Sequence, residues 1–212
     1  MLAVRWYLCY GLSYRDVKEL LAERGVQVDH VTVHRWVRRF APILAEAARC
    51  ARHAIGYRWQ VDETYVKVAG CCRYVYRAVD EYGQVIDVYV SPRRDSGAAR
   101  RFFHRALATA IVAPVEVVTD QAAAYLRVLE EVLPQVWHRI EQYANNRIEA
   151  DHAQWKRRLR PMRGLKTDIS ARTVIAGHAF MQDIRRGHYE LAADSPLKLR
   201  VATAVDELTQ AV

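Results

Sequence analysis

The order of strand-like and helix-like segments in this chain most narrows the folds that it can adopt. Three β-prone runs come first, over 59–68, 72–80 and 85–91, and the turn at 81–84 predicts a hairpin between the last two. Helix-like and strand-like segments then follow one another at 96–109, 115–119, 121–133, 136–139, 146–159 and 169–186. This order predicts an α/β fold, a mixed five-stranded sheet with helices on both faces, which is the ribonuclease-H-like arrangement.

Residues 1–40 precede the sheet and are predicted to be helical. Ser13 followed by Asp16 is typical of a helix start, and Gly25 is typical of a helix end. Asp29 can cap a second helix, with an apolar stripe formed by Val33, Trp36, Val37 and Phe40. Two short helices joined by a tight turn are typical of an all-α helix-turn-helix.

In a helix-turn-helix the second helix lies in the major groove of DNA. The residues that this places nearest to DNA are His30, Thr32, His34, Arg35, Arg38 and Arg39. A helical hairpin with a solvated charged face is the alternative that the pattern leaves open.

The charge balance favours a polyanionic partner. The chain has 32 Lys and Arg residues against 24 Asp and Glu residues, a formal net charge of +8. Six cations and no acid lie between positions 156 and 166, namely Lys156, Arg157, Arg158, Arg160, Arg163 and Lys166. We expect a DNA backbone to lie along this run, since the run otherwise repels itself. A solvated basic face is the alternative.

Three acids lie in three different local settings. Asp62 is inside the first strand, Asp120 directly follows the fourth, and Glu149 is on the helix over 146–159. The first and fourth strands are neighbours in the predicted sheet, and the helix can bring the third acid across them. Carboxylates that converge in this way can bind a pair of Mg²⁺ ions, which activate a nucleophile and stabilise a leaving oxygen in phosphodiester chemistry.

Each acid also has a purely structural interpretation. Asp62 could be a solvent-facing strand acid, with Glu63 on the opposite face as its rival. Asp120 could simply cap the following helix, and Glu149 could be a surface ion-pair partner. Lys156 comes seven residues after Glu149 and therefore on the same helical face, where it could hold a phosphate or form an ordinary salt bridge.

Several classes of protein are disfavoured. The four cysteines, at 9, 50, 71 and 72, have no zinc-site spacing and favour a reducing, cytoplasmic setting. No run of about 18 apolar residues predicts a membrane span, and the N-terminus lacks the pattern of a signal peptide.

Several blocks of the sequence resemble a known family. "DETYVKV", "YRAVDEYG", "SPRRDSGAARRFF", "VVTDQAAAY" and "NNRIEADH" are similar to segments of the IS-six family of bacterial insertion-sequence transposases, which are DDE transposases related to retroviral integrases. The N-terminal segment resembles that family's helix-turn-helix. The resemblance places the DDE triad on Asp62, Asp120 and Glu149, and the family's basic residue on Lys156.

The resemblance also implies an activity and its partners. It implies two Mg²⁺ ions, for which Mn²⁺ can substitute, and strand cleavage at terminal inverted repeats followed by transfer into target DNA. It implies replicative, cointegrate-forming transposition by a homodimer or larger assembly on double-stranded DNA. The implied domains are a helix-turn-helix over 1–42, a linker over 43–57, a catalytic domain over 58–188 and a tail over 189–212.

Three departures from the family pattern bear on activity. Gln121 stands where the family often has a lysine, and the 29 positions from Asp120 to Glu149 are fewer than in many DDE enzymes. The first residue matches a point inside the family's first helix, which predicts a truncated DNA-binding region. The alternative function is therefore a catalytically impaired protein that binds the element's ends and represses intact transposase. A plain ribonuclease H is disfavoured by the helix-turn-helix and the basic C-terminal half.

Overall fold

The computed structural model describes residues 1–120, 123–140, 146–159 and 164–210. The chain divides into two compact units, which we call the sheet unit (54–154) and the helical unit (1–53 with 155–212). Within the described ranges no helix is both long and apolar enough to cross a membrane.

The helices are α1 (Leu2–Cys9), α2 (Tyr14–Ala22), α3 (His30–Ala47), α4 (Ser96–Ala110), α5 (Ala123–Val132), α6 (Asn146–Leu159), α7 (Asp168–Arg186) and α8 (Arg200–Gln210). The strands are β1 (Arg58–Val68), β2 (Cys71–Asp80), β3 (Val85–Ser91), β4 (Glu116–Thr119) and β5 (Trp137–Ile140).

The five strands form one mixed sheet in the order β3-β2-β1-β4-β5. β1, β2 and β3 are antiparallel neighbours, whereas β4 runs parallel to both β1 and β5. The parallel pairs require crossovers, and α5 supplies the one between β4 and β5. This topology confirms the predicted ribonuclease-H-like fold and its central first strand.

One face of the sheet carries the core of the sheet unit. Trp59 and Val61 of β1 are fully buried in a cluster that includes Phe102 and Phe103 of α4 and Tyr125 of α5. Side chains alternate between the faces of a strand. Trp59, Val61 and Glu63 therefore share the face covered by α4 and α5, and Asp62 projects from the other face.

A buried acid fixes how the central strands lie side by side. The Glu116 side chain at the start of β4 is almost fully buried and forms ion pairs at 3.2 Å with Arg58 of β1 and Arg139 of β5. Breaking such a pair would leave a buried charge uncompensated, so these contacts help to hold the register of the three parallel strands.

The helix-turn-helix predicted near the N-terminus has the expected local structure. The backbone N–H of Ser13 donates to the Asp16 carboxylate at 2.7 Å, and that of Asp16 donates to the Ser13 hydroxyl at 3.2 Å. Gly25 follows α2 with a φ of +77°, a backbone conformation that favours glycine. Asp29 caps α3 by accepting from the backbone N–H of His30.

The helical unit differs from the sequence prediction in two helices and one stripe. α3 continues through Pro42 to Ala47, because Ala41 and Leu44 are buried and hold the extra turns in place. In the predicted apolar stripe of α3, Val33 and Val37 are fully buried, but Trp36 and Phe40 are only partly so. α8 occupies the predicted tail and buries Val201, Ala204, Val205 and Leu208. The domain boundaries proposed from the sequence stay a prediction.

Candidate active site

Three carboxylates converge near the middle of β1 and the end of β4. One oxygen from each of Asp62, Glu63 and Asp120 lies within 4.8 Å of the other two. The parallel register explains the meeting, since Gln60 pairs with Val118 and the next two positions bring Asp62 beside Asp120. The structure thus brings together two of the three acids singled out in the sequence, and adds Glu63.

Glu63 is the most deeply buried of the three acids and is fully engaged with the protein. Its side chain is 4% exposed, against 18% for Asp62 and 37% for Asp120. One carboxylate oxygen accepts from the Arg94 guanidinium and the other from the Tyr125 hydroxyl. Burial, reinforced by the Glu63 charge, raises the pKa of Tyr125 well above its usual value, so the phenol remains a donor.

Arg94 links two of these acids. Besides its contact with Glu63, its Nη2 lies 4.0 Å from Oδ2 of Asp120, and its side chain is 53% exposed. Burial lowers the pKa of this guanidinium, but the charge and hydrogen bond of Glu63 more than offset that effect and the pKa is raised. A permanent cation therefore lies at the edge of the acidic cluster.

α6 lies against β1 through a histidine. Nδ1 of the buried His152 is 3.5 Å from Oδ2 of Asp62, whose Oδ1 accepts the backbone N–H of Glu63 at 2.8 Å. The contact between His152 and Asp62 was not predicted from the sequence. Glu149 lies on the same helix, three positions earlier. The placement of its side chain is outside what the structure describes.

The donor set suits a divalent cation. Mg²⁺ and similar hard ions prefer carboxylate oxygens, and several converging carboxylates repel one another unless a cation neutralises them. The carboxylates of Asp62 and Asp120 are partly exposed, whereas that of Glu63 is almost fully buried between Arg94 and Tyr125. The residues present therefore fit a metal held mainly by the two aspartates.

Comparison with known proteins agrees with this geometry. A family model described as a DDE domain matches residues 56–188, which include both aspartates and α6. The transposase for insertion sequence-like element IS431mec of Staphylococcus aureus strain Mu50 is 41% identical over 155 residues, which cover 71% of this chain and 69% of that protein. The chain belongs to the IS-six family of DDE transposases.

One further relative and one solved structure extend the comparison. The transposase of insertion sequence element IS257 in transposon Tn4003 of Staphylococcus aureus is 40% identical, with the same 71% and 69% coverage. The integrase catalytic core of HTLV-2, solved with magnesium, is 19% identical with a TM-score of 0.46 and covers 58% of this chain and 86% of its own. The strand order, and not this distant likeness, establishes the fold.

The basic run after the site separates into exposed and buried cations. Lys156, Arg157 and Lys166 are exposed on the transposase, as a DNA-contacting role requires. Arg158, in contrast, is 4% exposed and donates to the backbone carbonyl of Tyr7. Its guanidinium carbon also lies 4.6 Å from the centre of the Tyr7 ring. Arg160 and Arg163 lie outside the described residues.

The burial of Arg158 does not fit the expected contact with DNA. Position 158 is one helical turn beyond the buried Trp155 and so lies on the face of α6 that packs inside the helical unit. Burial lowers the pKa of this guanidinium, although Tyr7 acts in the opposite direction. Arg158 is a packing residue that stabilises the helical unit.

The predicted recognition helix presents three exposed arginines and two engaged histidines. Arg35, Arg38 and Arg39 are exposed, and Thr32 is partly buried. The His30 ring contacts its neighbour Asp29 at 2.8 Å, and Nε2 of His34 lies 3.4 Å from the Ser170 hydroxyl on α7. Burial, followed by the charges of Arg38 and Arg35, lowers the pKa of His34, which favours its neutral form.

Proposed function

We propose that this transposase binds the terminal inverted repeats of its insertion sequence and catalyses metal-dependent strand cleavage and strand transfer. The observation that carries the proposal is the convergence of Asp62 and Asp120 within one three-carboxylate group of a DDE domain. Such a pair on neighbouring parallel strands has no evident packing role, because both side chains remain partly exposed.

The proposed third member of the catalytic set is Glu149. Its position on α6 supports this, because His152 lies 3.5 Å from Asp62 and residues three apart share one face of a helix. The alternative within β1 is Glu63, but the contacts of its oxygens with Arg94 and Tyr125 favour a supporting role. We therefore assign the DDE triad to Asp62, Asp120 and Glu149.

Two Mg²⁺ ions, or Mn²⁺ in their place, are the proposed cofactors. When bound, a pair of such ions lowers the pKa of an attacking water or hydroxyl and stabilises the leaving oxygen of the phosphodiester. The chain's own part is to hold its carboxylates where they cannot move apart. The β1–β4 register and His152 on α6 provide that rigidity for Asp62 and Asp120.

DNA is the proposed partner, in the bacterial cytoplasm where the element resides. The exposed Arg35, Arg38 and Arg39 suit contacts in or beside the major groove, with His30, Thr32 and His34 on the same helix. Lys156 is exposed seven residues beyond Glu149, almost two helical turns, and is proposed to hold the reacting phosphate. Arg157 and Lys166, with Arg160 and Arg163, are proposed backbone contacts.

Transfer of an element into target DNA requires two element ends to be held at once. We therefore propose that this transposase acts as a homodimer or larger assembly, and that its product is the replicative cointegrate. An assembly on DNA would be supported by a shift of two labelled ends into one complex, and a complex containing only one end at every protein concentration would contradict it.

A cleavage assay on an end-labelled duplex tests the proposed function. The duplex carries one terminal repeat with flanking DNA, and protein is added with Mg²⁺, with Mn²⁺ or with a chelator. We expect a nick at the end of the element with either metal and none with the chelator. Binding to the repeat without cleavage in either metal would contradict the catalytic proposal and favour a repressor.

A further inference from the structure

We propose that Arg94 contacts the scissile phosphate, and that Glu63 and Tyr125 are positioning residues that hold its guanidinium for that contact. The proposal rests on the proposed cleavage function and adds a residue outside the DDE triad and the basic run. It starts from a feature that the triad leaves unexplained, which is a second acid in β1 directly after Asp62.

The contacts of Glu63 are those of a residue that fixes another side chain in place. Its carboxylate is almost completely buried and both oxygens are taken, one by Arg94 and one by the Tyr125 hydroxyl. Tyr125 is itself fixed, since it is 1% exposed and lies edge-on to the rings of Tyr76 and Phe103. Because Tyr125 fixes the buried carboxylate of Glu63, this carboxylate can in turn fix a guanidinium that extends toward solvent.

The guanidinium that extends toward solvent is that of Arg94, and its position does more than neutralise Glu63. Its side chain is 53% exposed and its Nη2 is 4.0 Å from Oδ2 of the partly exposed Asp120, so the guanidinium is accessible to solvent beside this aspartate. The contacts with Glu63 use Nε and Nη2. Among the residues that the structure describes, none accepts a hydrogen bond from Nη1, so this group can donate to another oxygen.

A guanidinium in this position suits a phosphodiester. Its planar fork places two N–H groups in register with two phosphate oxygens, and it stays protonated beside anions. A donor fixed before the reaction stabilises charge that develops on a non-bridging oxygen without reorganising. Arg94 would thus screen the approaching phosphate from the aspartates and hold it in place. Arg94 would form no covalent bond with the substrate and would transfer no proton.

The test compares binding of two DNA ends that differ in one charge. One duplex carries the natural phosphate at the scissile position and the other a neutral methylphosphonate. Affinities are measured with Ca²⁺ in place of Mg²⁺, and cleavage of the natural duplex is followed in parallel samples that contain Mg²⁺. The variants are Arg94→Ala and Arg94→Lys, with Arg93→Ala as the matched control, because Arg93 is exposed in the same loop and carries the same charge.

For wild type and Arg93→Ala, we expect the methylphosphonate to weaken binding about tenfold or more, because a charged hydrogen bond is lost. For Arg94→Ala this discrimination should fall severalfold without vanishing, because Lys156 and the metal are also proposed to act on this phosphate; the decrease measures the coupling between the arginine and that one phosphate. Glu63→Gln and Tyr125→Phe should reduce the discrimination partly, and Arg94→Lys should keep only some of it, since a lysine cannot form the fork.

An unchanged discrimination in Arg94→Ala would overturn the proposal, even if cleavage fell. If Arg94→Ala unfolds because Glu63 is left buried with one donor fewer, the double variant Glu63→Gln with Arg94→Ala removes that charge and takes its place in the same comparison. Loss of binding and cleavage in wild type itself would instead refute the proposed function, so the two failures are distinguishable.

Discussion

The two units of this transposase differ in charge. The helical unit contains 20 Lys and Arg residues against 11 Asp and Glu residues, a net charge of +9. The sheet unit contains 12 against 13, a net charge of −1. The basic character of the whole chain therefore comes entirely from the helical unit, and the carboxylates that fit a metal lie in the other.

The two units also arrange their charges differently. In the sheet unit, strand register brings Asp62 and Asp120 together, and the buried Tyr125 and the half-exposed Arg94 hold Glu63 beside them. In the helical unit, exposed arginines such as Arg35 and Arg157 are spread over separate helices. Converging acids suit a chemical step, and dispersed exposed cations suit long-range attraction to a polyanion. The comparison leads to a division of labour, with chemistry in one unit and affinity in the other.

The largest expected effect comes from removing an acid of the proposed triad. Asp62→Asn, Asp120→Asn and Glu149→Gln should each lower end cleavage on the order of 10³-fold or more, because several kcal/mol of charge stabilisation is lost. Binding of the same end should change little. Glu131→Gln is the control, since this acid of the sheet unit pairs with Arg100 at the surface. A comparable loss of cleavage in Glu131→Gln would contradict a specific catalytic role for the three acids.

Next in size is the loss of base recognition in the helical unit. Arg35→Ala should weaken binding to the terminal repeat by about 1–3 kcal/mol if the arginine contacts a guanine through both N–H groups. The loss on random DNA should be much smaller, as measured by competition between labelled repeat and unlabelled duplex. Equal losses on both substrates would make Arg35 a phosphate contact.

Neighbouring residues of α6 sharpen the comparison within the helical unit. Arg158→Gln removes a buried donor to Tyr7 and should lower the free energy of unfolding by about 1–3 kcal/mol in urea melts. Arg157→Gln should leave stability within about 0.5 kcal/mol. It should instead flatten the salt dependence of DNA binding by roughly 0.9 units of slope, the value for one phosphate. A loss of stability in Arg157→Gln together with a flatter salt dependence in Arg158→Gln would contradict these two roles.

The smallest effect concerns His34, whose pKa is lowered in the folded state by burial and by Arg38 and Arg35. A lowered pKa in the folded state means that the unfolded chain binds more protons between that pKa and the ordinary value of about 6.5. Stability should therefore decrease as pH falls below about 6.5. Urea melts at several pH values should show a smaller decrease for His34→Gln, and an identical pH dependence would contradict the shift.

Much of the sheet unit could be predicted because its signals are local. Short β-branched runs such as 115–119 mark strands, and the order of elements places β1 beside β4, which brings Asp62 near Asp120. The capping residues of α2 and α3 could be predicted as well, because Ser13, Asp16 and Asp29 accept hydrogen bonds from backbone N–H groups only a few positions away.

The missed features depend on contacts between distant positions. Glu63 meets Arg94 and Tyr125, which are 31 and 62 positions away, so the local sequence shows only an acid next to another acid. Arg158 is buried by Tyr7, 151 positions earlier, and within the basic run it resembles its exposed neighbours. α8 had a readable signal, the apolar spacing of Val201, Ala204, Val205 and Leu208.

The division of labour is tested most directly by the rate of end cleavage as a function of protein concentration. The bound fraction of the labelled end is measured on the same samples, so that each variant has a half-saturating concentration and a cleavage rate at saturation, even where that rate is zero. Asp120→Asn should bind the end at the wild-type concentration yet give no cleavage at saturation. The triple variant Arg35→Gln, Arg38→Gln and Arg39→Gln should need much more protein but approach the wild-type rate. Weak binding by Asp120→Asn, or slow cleavage by the saturated triple variant, would contradict the account.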